Sequence, residues 1–260
     1  MSEKFSKKYS LMFGDMDINY HMTKMAAAKY FQETFARFCA KNNLAAFDVL
    51  KDGIIWVVSD LRVEILDRLP MWSEEFSVEV WISETTKMRT YIEFEIICHD
   101  KIVAKGESCF YMLDEKTRRP IKSMDLVKPF GLIDEKVFGE HVKQRYEISG
   151  EKLSEKIHEV TVRDLDFNYH VNNLSYIGIS FETAPAEFLE HNEVISYSIK
   201  FLQETHLGDK LGCELYQDGD KIISRIYNTE NYSDVCLAWA KYRDRTDFCR
   251  NPREAGVNFS

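Results

Sequence analysis

The sequence predicts an α+β protein built from two tandem copies of one unit, each a helix followed by an antiparallel run of strands. Three observations carry this. Residues 15–34, DMDINYHMTKMAAAKYFQET, and residues 164–183, DLDFNYHVNNLSYIGISFET, share seven identities in 20 positions at a constant offset of 149, five of them in the first seven. A long-period repeat of this kind reports a duplicated fold. In both copies the shared polar loop leads into apolar residues at helical spacing and then into alternating segments. The chain of 260 residues also has room for two domains, each of an ordinary size of about 130 residues.

The elements follow in order. Behind the first loop, Ala27, Phe31, Phe35 and Phe38, joined by Tyr30, fall on one helical face. Phe76, Val78, Val80 and Ile82 alternate with Ser77, Glu79 and Trp81, and Ile92, Phe94 and Ile96 alternate with Glu93 and Glu95. That is the period of strands with one face on a core. Behind the second loop, Leu174, Ile177, Phe181 and Ala184 keep the helical spacing until Pro185 interrupts it. Ile195–Leu202, Leu211–Tyr216, Lys221–Tyr227 and Cys236–Tyr242 read as strands, parted by turns such as Asp218-Gly219-Asp220. Residues 61–81 and 198–216 echo one another as strand, polar turn, strand. A helix followed by a meander forms a unit whose sheet wraps its helix. The polar stretch 139–156 is placed as the connector, between domains 1–138 and 157–260.

Composition removes several classes. Hydrophobic residues make up 45% of the chain, enough for a packed core. No apolar run approaches the roughly 18 residues of a membrane span, and the start, MSEKFSKKYS, lacks the apolar stretch of a secretory signal. The net charge of −9 argues against a nucleic-acid binder. The charge is uneven. Residues 1–131 hold 19 basic and 20 acidic residues, and residues 132–260 hold 15 and 23, so the first half would repel an acidic partner less. Cys39, Cys98, Cys109, Cys213, Cys236 and Cys249 show no paired spacing and read as reduced thiols of a cytoplasmic protein. No CxxC or HExxH occurs, so no metal site is expected. The loops begin like calcium-binding loops, but the required Gly and Glu positions hold Tyr20 and Ala26, or Tyr169 and Ser175.

Four segments are more specific: LPMWSEEFSVEVW (69–81), MLDEKTRRPIKSM (112–124), DLDFNYHVNNLSYIG (164–178) and AWAKYRD (238–244). In this order they resemble the proline–tryptophan strand pair, the Thr-Arg-Arg segment, the D-x-N-x-H-V-N-N loop and the closing strand of plant and bacterial acyl-acyl-carrier-protein thioesterases. The resemblance implies two tandem hotdog domains. It also implies release of free fatty acid from acyl carrier protein in fatty acid biosynthesis, without cofactor or metal. Asp166, Asn168 and His170 match the family's Asp, Asn and His, and Glu204 in FLQETHLGD matches its later catalytic Glu.

Thioester hydrolysis needs a base for water, donors for an oxyanion and a pocket for the acyl chain. In this reading Glu204 and His170 polarise water, the Asn168 side chain holds the thioester oxygen, and Asp166 supports the loop. Asp166 as base or nucleophile is the rival assignment. Asn172, Asn173 and Thr205 are placed at the substrate. Thr205 stands where the plant enzymes carry Cys, which removes a thiolate route. His206 is a further candidate in the same turn. The loop of Asp17, Asn19 and His21 is read as inherited scaffold. Aligning residues 70–73 with 206–209 puts Arg68 at the place of Glu204, and Arg cannot act as a base at neutral pH.

By resemblance the first copy is expected to hold the acyl pocket, with Tyr30 and Phe31 among its lining. Arg118, Arg119 and Lys122 form a basic cluster suited to an acidic carrier protein. Hydrolysis of acyl-CoA, and silent acyl binding, stand as alternatives. A homodimer is left open, since two fused hotdogs already supply the pairing that single ones gain by dimerising.

Overall fold

The computed structural model describes residues 3–17, 19–141 and 146–244. They fall into two compact units divided after residue 142. The first unit contains β1 (Phe5–Ser10), α1 (Lys24–Lys41), α2 (Ala46–Leu50), β2 (Ile54–Ile65), β3 (Glu75–Thr85), β4 (Arg89–Cys98), β5 (Lys101–Asp114) and α3 (Met124–Val127). Its strands pair antiparallel in the order β1-β3-β4-β5-β2. The second unit contains β6 (Glu151–Glu159), α4 (Asn173–Glu182), α5 (Ala186–His191), β7 (Asn192–Phe201), β8 (Lys210–Asp218), β9 (Lys221–Asn228) and β10 (Asp234–Asp244). Its order, β6-β8-β9-β10-β7, repeats the first strand for strand.

In the first unit the aromatic stripe of α1 fills the space between helix and sheet. Phe31 stacks on Phe94 with ring centroids 4.8 Å apart, Phe35 meets Phe110 at 4.8 Å, and Phe38 meets Phe130 at 4.8 Å. Gly106 on β5 lies directly under Phe31; a Cβ there would come within 2.6 Å of the ring. This glycine serves close packing rather than a turn.

The second helix differs from its expected form. It ends at Glu182, and its buried residues are Tyr176, Ile177, Ile179 and Ser180. Leu174 and Phe181 are only partly buried; the Phe181 ring meets Tyr197 of β7 at 5.3 Å, and its neighbour Ser180, near the end of the helix, is buried.

Two further features escape the apolar pattern. β1 and β6 are edge strands; β6 begins inside the stretch 139–156 expected as connector and runs past it to Glu159, and β1 had no prediction. Edge strands bury little and carry charge to avoid unwanted pairing, as EKLSEKIHE does with Ile157 left 61% exposed. Glu93 and Glu95 look like the solvent face of the first sheet in the sequence, yet both are buried, as is Glu107. Residues 131–141 lie over them. The Val137 amide donates to Glu93, His141 Nδ1 sits 2.6 Å from Glu107 and stacks on Tyr91, and Trp81 donates to the Glu135 carbonyl. Cys39, Cys98, Cys109, Cys213 and Cys236 are buried and unpaired, while Cys249 lies outside the described residues. Among the described residues no helix is long and apolar enough to cross a membrane.

Candidate active site

The loop before α4 owes its shape to one carboxylate. Asp166 Oδ1 accepts the Asn168 amide at 2.7 Å and the His170 amide at 3.4 Å, a local turn typical of Asp. The Asp166 amide donates to the His170 carbonyl at 2.8 Å, and Leu165 bridges Val171. Tyr169 at the apex is held at φ 61°, a left-handed conformation costly for a side chain of this size. Asn168 is thereby presented at the exposed tip. The loop is anchored upstream by Asp164, whose Oδ2 accepts from the Thr161 amide and hydroxyl and lies 3.1 Å from His158.

Helix α4 starts with Asn172 as its cap, the side chain accepting the Leu174 amide at 3.0 Å. Asn172 is therefore spent on the helix, and Asn173 is the helix's first residue.

The second strand turn closes on this loop. The Thr205 carbonyl accepts the Val171 amide at 3.0 Å, which brings Glu204 beside His170. His170 Nε2 and Glu204 Oε2 are 3.8 Å apart, and both side chains are part-exposed. The His206 ring stands edge-on to His170 at 5.1 Å. The structure thus brings together Asp166, Asn168, His170, Glu204 and His206 on one partly open surface. Thr205 is different. It is 2% exposed, and its hydroxyl is engaged by Tyr176 at 2.8 Å. It braces the turn from beneath instead of meeting a substrate as expected. Tyr176, the brace, carries no motif signal; only its place on the buried helix face marks it.

The first unit holds a close copy of the loop with a different outcome. Asp17 Oδ1 accepts the Asn19 and His21 amides at 2.8 and 3.2 Å, and Tyr20 sits at φ 66°. Here, however, the Trp72 amide donates to the Tyr20 carbonyl at 3.1 Å. Asn19 is 6% exposed, with its Oδ1 buried and unpartnered, where Asn168 is exposed.

The strand turn also differs by one residue. Leu66 and Leu202 make the same bond to the next strand pair at an offset of 136, whereas the turns Met71–Glu74 and His206–Asp209 correspond at 135. The first unit therefore carries an extra residue, and Arg68 and Leu69 together span the place of Glu204. Leu69 is 2% exposed. Arg68 turns away to a two-pronged bond with Glu74, at 2.8 and 3.0 Å. Burial pushes the Glu74 carboxyl up, but Arg68, the Met71 amide and His99 outweigh it and hold it at about 2. This turn presents no carboxylate to His21 at the position corresponding to Glu204.

The remaining expected residues lie in the first unit. Tyr30 and Phe31 are core residues: Tyr30 donates to Asp15 and packs on Phe76, and Phe31 is locked between Phe94 and Gly106. Arg118, Arg119 and Lys122 are exposed at the turn after β5. Among the described residues two clusters could offer atoms to a metal, Glu74/Cys98/His99 and Glu93/Glu107/His141. Both are in the first unit and already bonded internally, and neither includes the residues around Glu204.

Comparison with known proteins adds the following. A family model described as the acyl-ACP thioesterase N-terminal domain matches residues 2–129, and one described as the C-terminal domain matches residues 147–241. An acyl-[acyl-carrier-protein] hydrolase of Cuphea viscosissima is 24% identical over 260 residues, covering 93% of this chain and 63% of its own. A palmitoyl-acyl carrier protein thioesterase of Cuphea hookeriana is 31% identical over 166 residues, covering 60% of this chain and 40% of its own. The chain thus spans between 40% and 63% of the length of these two relatives.

Among solved structures, an acyl-ACP thioesterase from Bacteroides thetaiotaomicron superposes with a TM-score of 0.80 at 19% identity, covering 92% of this chain and 98% of that one. A 12:0-ACP thioesterase from Umbellularia californica gives 0.81 at 20% identity, covering 93% and 98%. At these identities the likeness shows the fold, the tandem hotdog arrangement.

Proposed function

From its membership of the acyl-ACP thioesterase family, we propose that this chain hydrolyses fatty acyl-acyl-carrier-protein to free fatty acid and carrier protein. The observation that carries this is the pairing of Glu204 with His170 at 3.8 Å beside the exposed Asn168, an arrangement the duplicated first loop lacks. A carboxylate and an imidazole at this separation can hold one water between them. His170 orients the water, Glu204 takes a proton from it as its oxygen attacks the thioester carbon, and Glu204 returns that proton to the thiolate as the C–S bond breaks. The Asn168 side-chain amide is presented where the carbonyl oxygen gains charge, aided by the positive start of α4. Asp166, with its Oδ1 bound by two loop amides, serves the loop's shape, which favours Glu204 over it as base. No cofactor enters these steps.

The carrier protein is the proposed donor, and the exposed Arg118, Arg119 and Lys122 are its proposed dock. A cytoplasmic, reducing setting is proposed from the five buried, unpaired thiols. The test is thiol release from acyl-carrier-proteins of graded chain length, with matched acyl-CoAs alongside. Wild type should prefer the carrier protein, and Glu204→Ala should lose on the order of 10²–10⁴ in kcat. Near wild-type turnover in Glu204→Ala would overturn the base assignment, and a preference for acyl-CoA would overturn the donor.

A further inference from the structure

The two copies of the polar loop differ in what surrounds them. In the first, the Phe13 ring stands edge-on to Trp72 with centroids 6.1 Å apart, and the Trp72 amide holds the Tyr20 carbonyl. Tyr20 and Trp72 are both partly buried. In the second, the loop offset of 149 puts Val162 at the place of Phe13 and Tyr169 at that of Tyr20, and the turn offset of 135 puts Leu207 at that of Trp72. Here the Leu207 amide makes no bond to the loop among the described residues, and Val162, Tyr169 and Leu207 are exposed, as is Phe167 beside Asn168.

The segments that carry these side chains are tied together around His170 and Glu204. The Val160 amide donates to the Asp209 carbonyl at 2.9 Å, the Val160 carbonyl accepts from Gly208 at 3.0 Å, and the Val171 amide donates to Thr205. Single apolar side chains on a surface call for no explanation. Four on the segments that hold a pair of reacting groups do, and stability does not supply it. Tyr169 is 79% exposed and holds φ 61°. Glycine would fill that position at lower cost, and so exposed a ring buries little in return.

A cation completes this rim. Arg163 follows Val162 and is exposed. The second unit is acidic, residues 132–260 holding 15 basic and 23 acidic residues. Its other described arginines are paired, Arg225 with Glu214 and Asp234, and Arg243 with Glu193. Arg163 has no acidic partner among the described residues, and its neighbour Asp164 is taken up by Thr161 and His158. The first loop has Gly14 in its place. A free guanidinium beside apolar side chains suits an extended group, part apolar and part amide, that ends in a phosphate.

We infer that this rim receives the phosphopantetheine arm on which a carrier protein bears its thioester: Val162, Phe167, Tyr169 and Leu207 pack along the arm, and Arg163 pairs with its phosphate. The inference rests on the hydrolase reading for its substrate class and adds where the end of the substrate beyond the thioester sulfur is held. One free arginine on an acidic surface matches the lone phosphodiester of a carrier protein's arm better than the more highly phosphorylated end of coenzyme A.

Octanoyl thioesters of phosphopantetheine and of pantetheine, which differ by the phosphate alone, provide the test. Wild type should favour the phosphorylated ester in kcat/KM by about three- to tenfold, between an exposed ion pair and a sheltered charged hydrogen bond. Arg163→Gln should erase that preference, and Arg243→Gln, whose arginine is already paired, should keep it. Tyr169→Gly should raise KM for octanoyl-carrier-protein roughly fivefold, the worth of part of a ring's burial, without lowering the urea midpoint, a combination that a merely structural role would not give. Leu207→Ser examines the same wall without altering the loop backbone and should raise KM as well. Calorimetry reads the rim without turnover. Holo-carrier protein should bind wild type roughly threefold or more tightly than apo-carrier protein, and Arg163→Gln should lose that margin. A phosphate preference that survives Arg163→Gln, or an unmoved KM in both Tyr169→Gly and Leu207→Ser, would overturn the inference. Coenzyme A binding more tightly than free phosphopantetheine would overturn the carrier's arm as the occupant. Absence of any thioester hydrolysis by wild type would overturn the hydrolase reading alone, with the holo-to-apo margin still judging the rim.

Discussion

Replacing Glu93 by Gln should make the protein more stable at alkaline pH and leave it nearly unchanged at acid pH. Glu93 is 0% exposed and faces Ser83 from β3, Glu107 from β5, and Lys136, Val137 and His141 from the covering segment. Burial pushes its carboxyl up to about 7, against the opposing bond from Ser83. Glu107 is pushed up to about 7 by burial as well. An acid whose folded pKa is raised is held best when protonated. Its stabilising contribution is complete below its unfolded value, near 4.5, and is lost as pH rises through about 7. The interval corresponds to roughly 3 kcal/mol.

Gln keeps both contacts, accepting from the Val137 amide and donating to a rotated Ser83 hydroxyl, and it carries no charge at any pH. His141, whose pKa burial lowers, runs the opposite way and loses stability as pH falls. It is present in both proteins, so its own titration largely cancels in the difference between them. Urea unfolding at pH 5, 6.5 and 8.5, followed by fluorescence of the buried Trp81, should show a gap of about 1 kcal/mol or less at pH 5 that grows to roughly 3 kcal/mol in favour of Gln at pH 8.5. A gap that is constant with pH, or that closes as pH rises, would refute the reasoning.

Three further outcomes are expected. Thr205→Val removes the partner of the buried Tyr176 hydroxyl and should cost about 1–3 kcal/mol of stability; kcat of the folded fraction should hold, whereas a selective loss of kcat would return Thr205 to the chemistry. Gly106→Ala drives a Cβ to 2.6 Å from the Phe31 ring and should destabilise by about 1–3 kcal/mol, readable as a lowered urea midpoint; an unchanged midpoint would mean the Phe31–Phe94 stack yields freely. Neutralising Arg118, Arg119 and Lys122 to Gln should raise KM for acyl carrier protein at low salt and flatten its salt dependence, with KM for an acyl-CoA unchanged; a KM for the carrier protein that ignores salt would remove the dock.

The duplication was legible in the sequence because the loop's shape is local. An Asp that captures amides two and four residues ahead needs only its neighbours, so DMDINYH and DLDFNYH announce the same turn wherever they occur. The strands with one apolar face were legible for the same reason: alternation is a property of the strand itself. The loop residues Asp166, Asn168 and His170, and their partner Glu204, were likewise found by motif. What escaped was everything decided by distant chain. Edge strands β1 and β6 bury too little to leave an apolar pattern. Glu93 alternates like a solvent-facing residue and is buried only because residues 131–141 cross it.

By itself, then, the sequence determined the repeat, the α+β unit and the residues of one polar loop, since each follows from contacts within a few residues. Tertiary structure alone decided which copy of that loop is open. The turn that closes over Asn19 through Trp72, and the extra residue that lets Arg68 swing to Glu74, lie some fifty residues downstream of the first loop. It alone set Thr205 beneath the site, because its hydroxyl meets Tyr176 only after helix and turn have packed. Ser180 and Ser224 are unremarkable in sequence, and only the register of two paired sheets shows that they stand where the first unit stacks two phenyl rings.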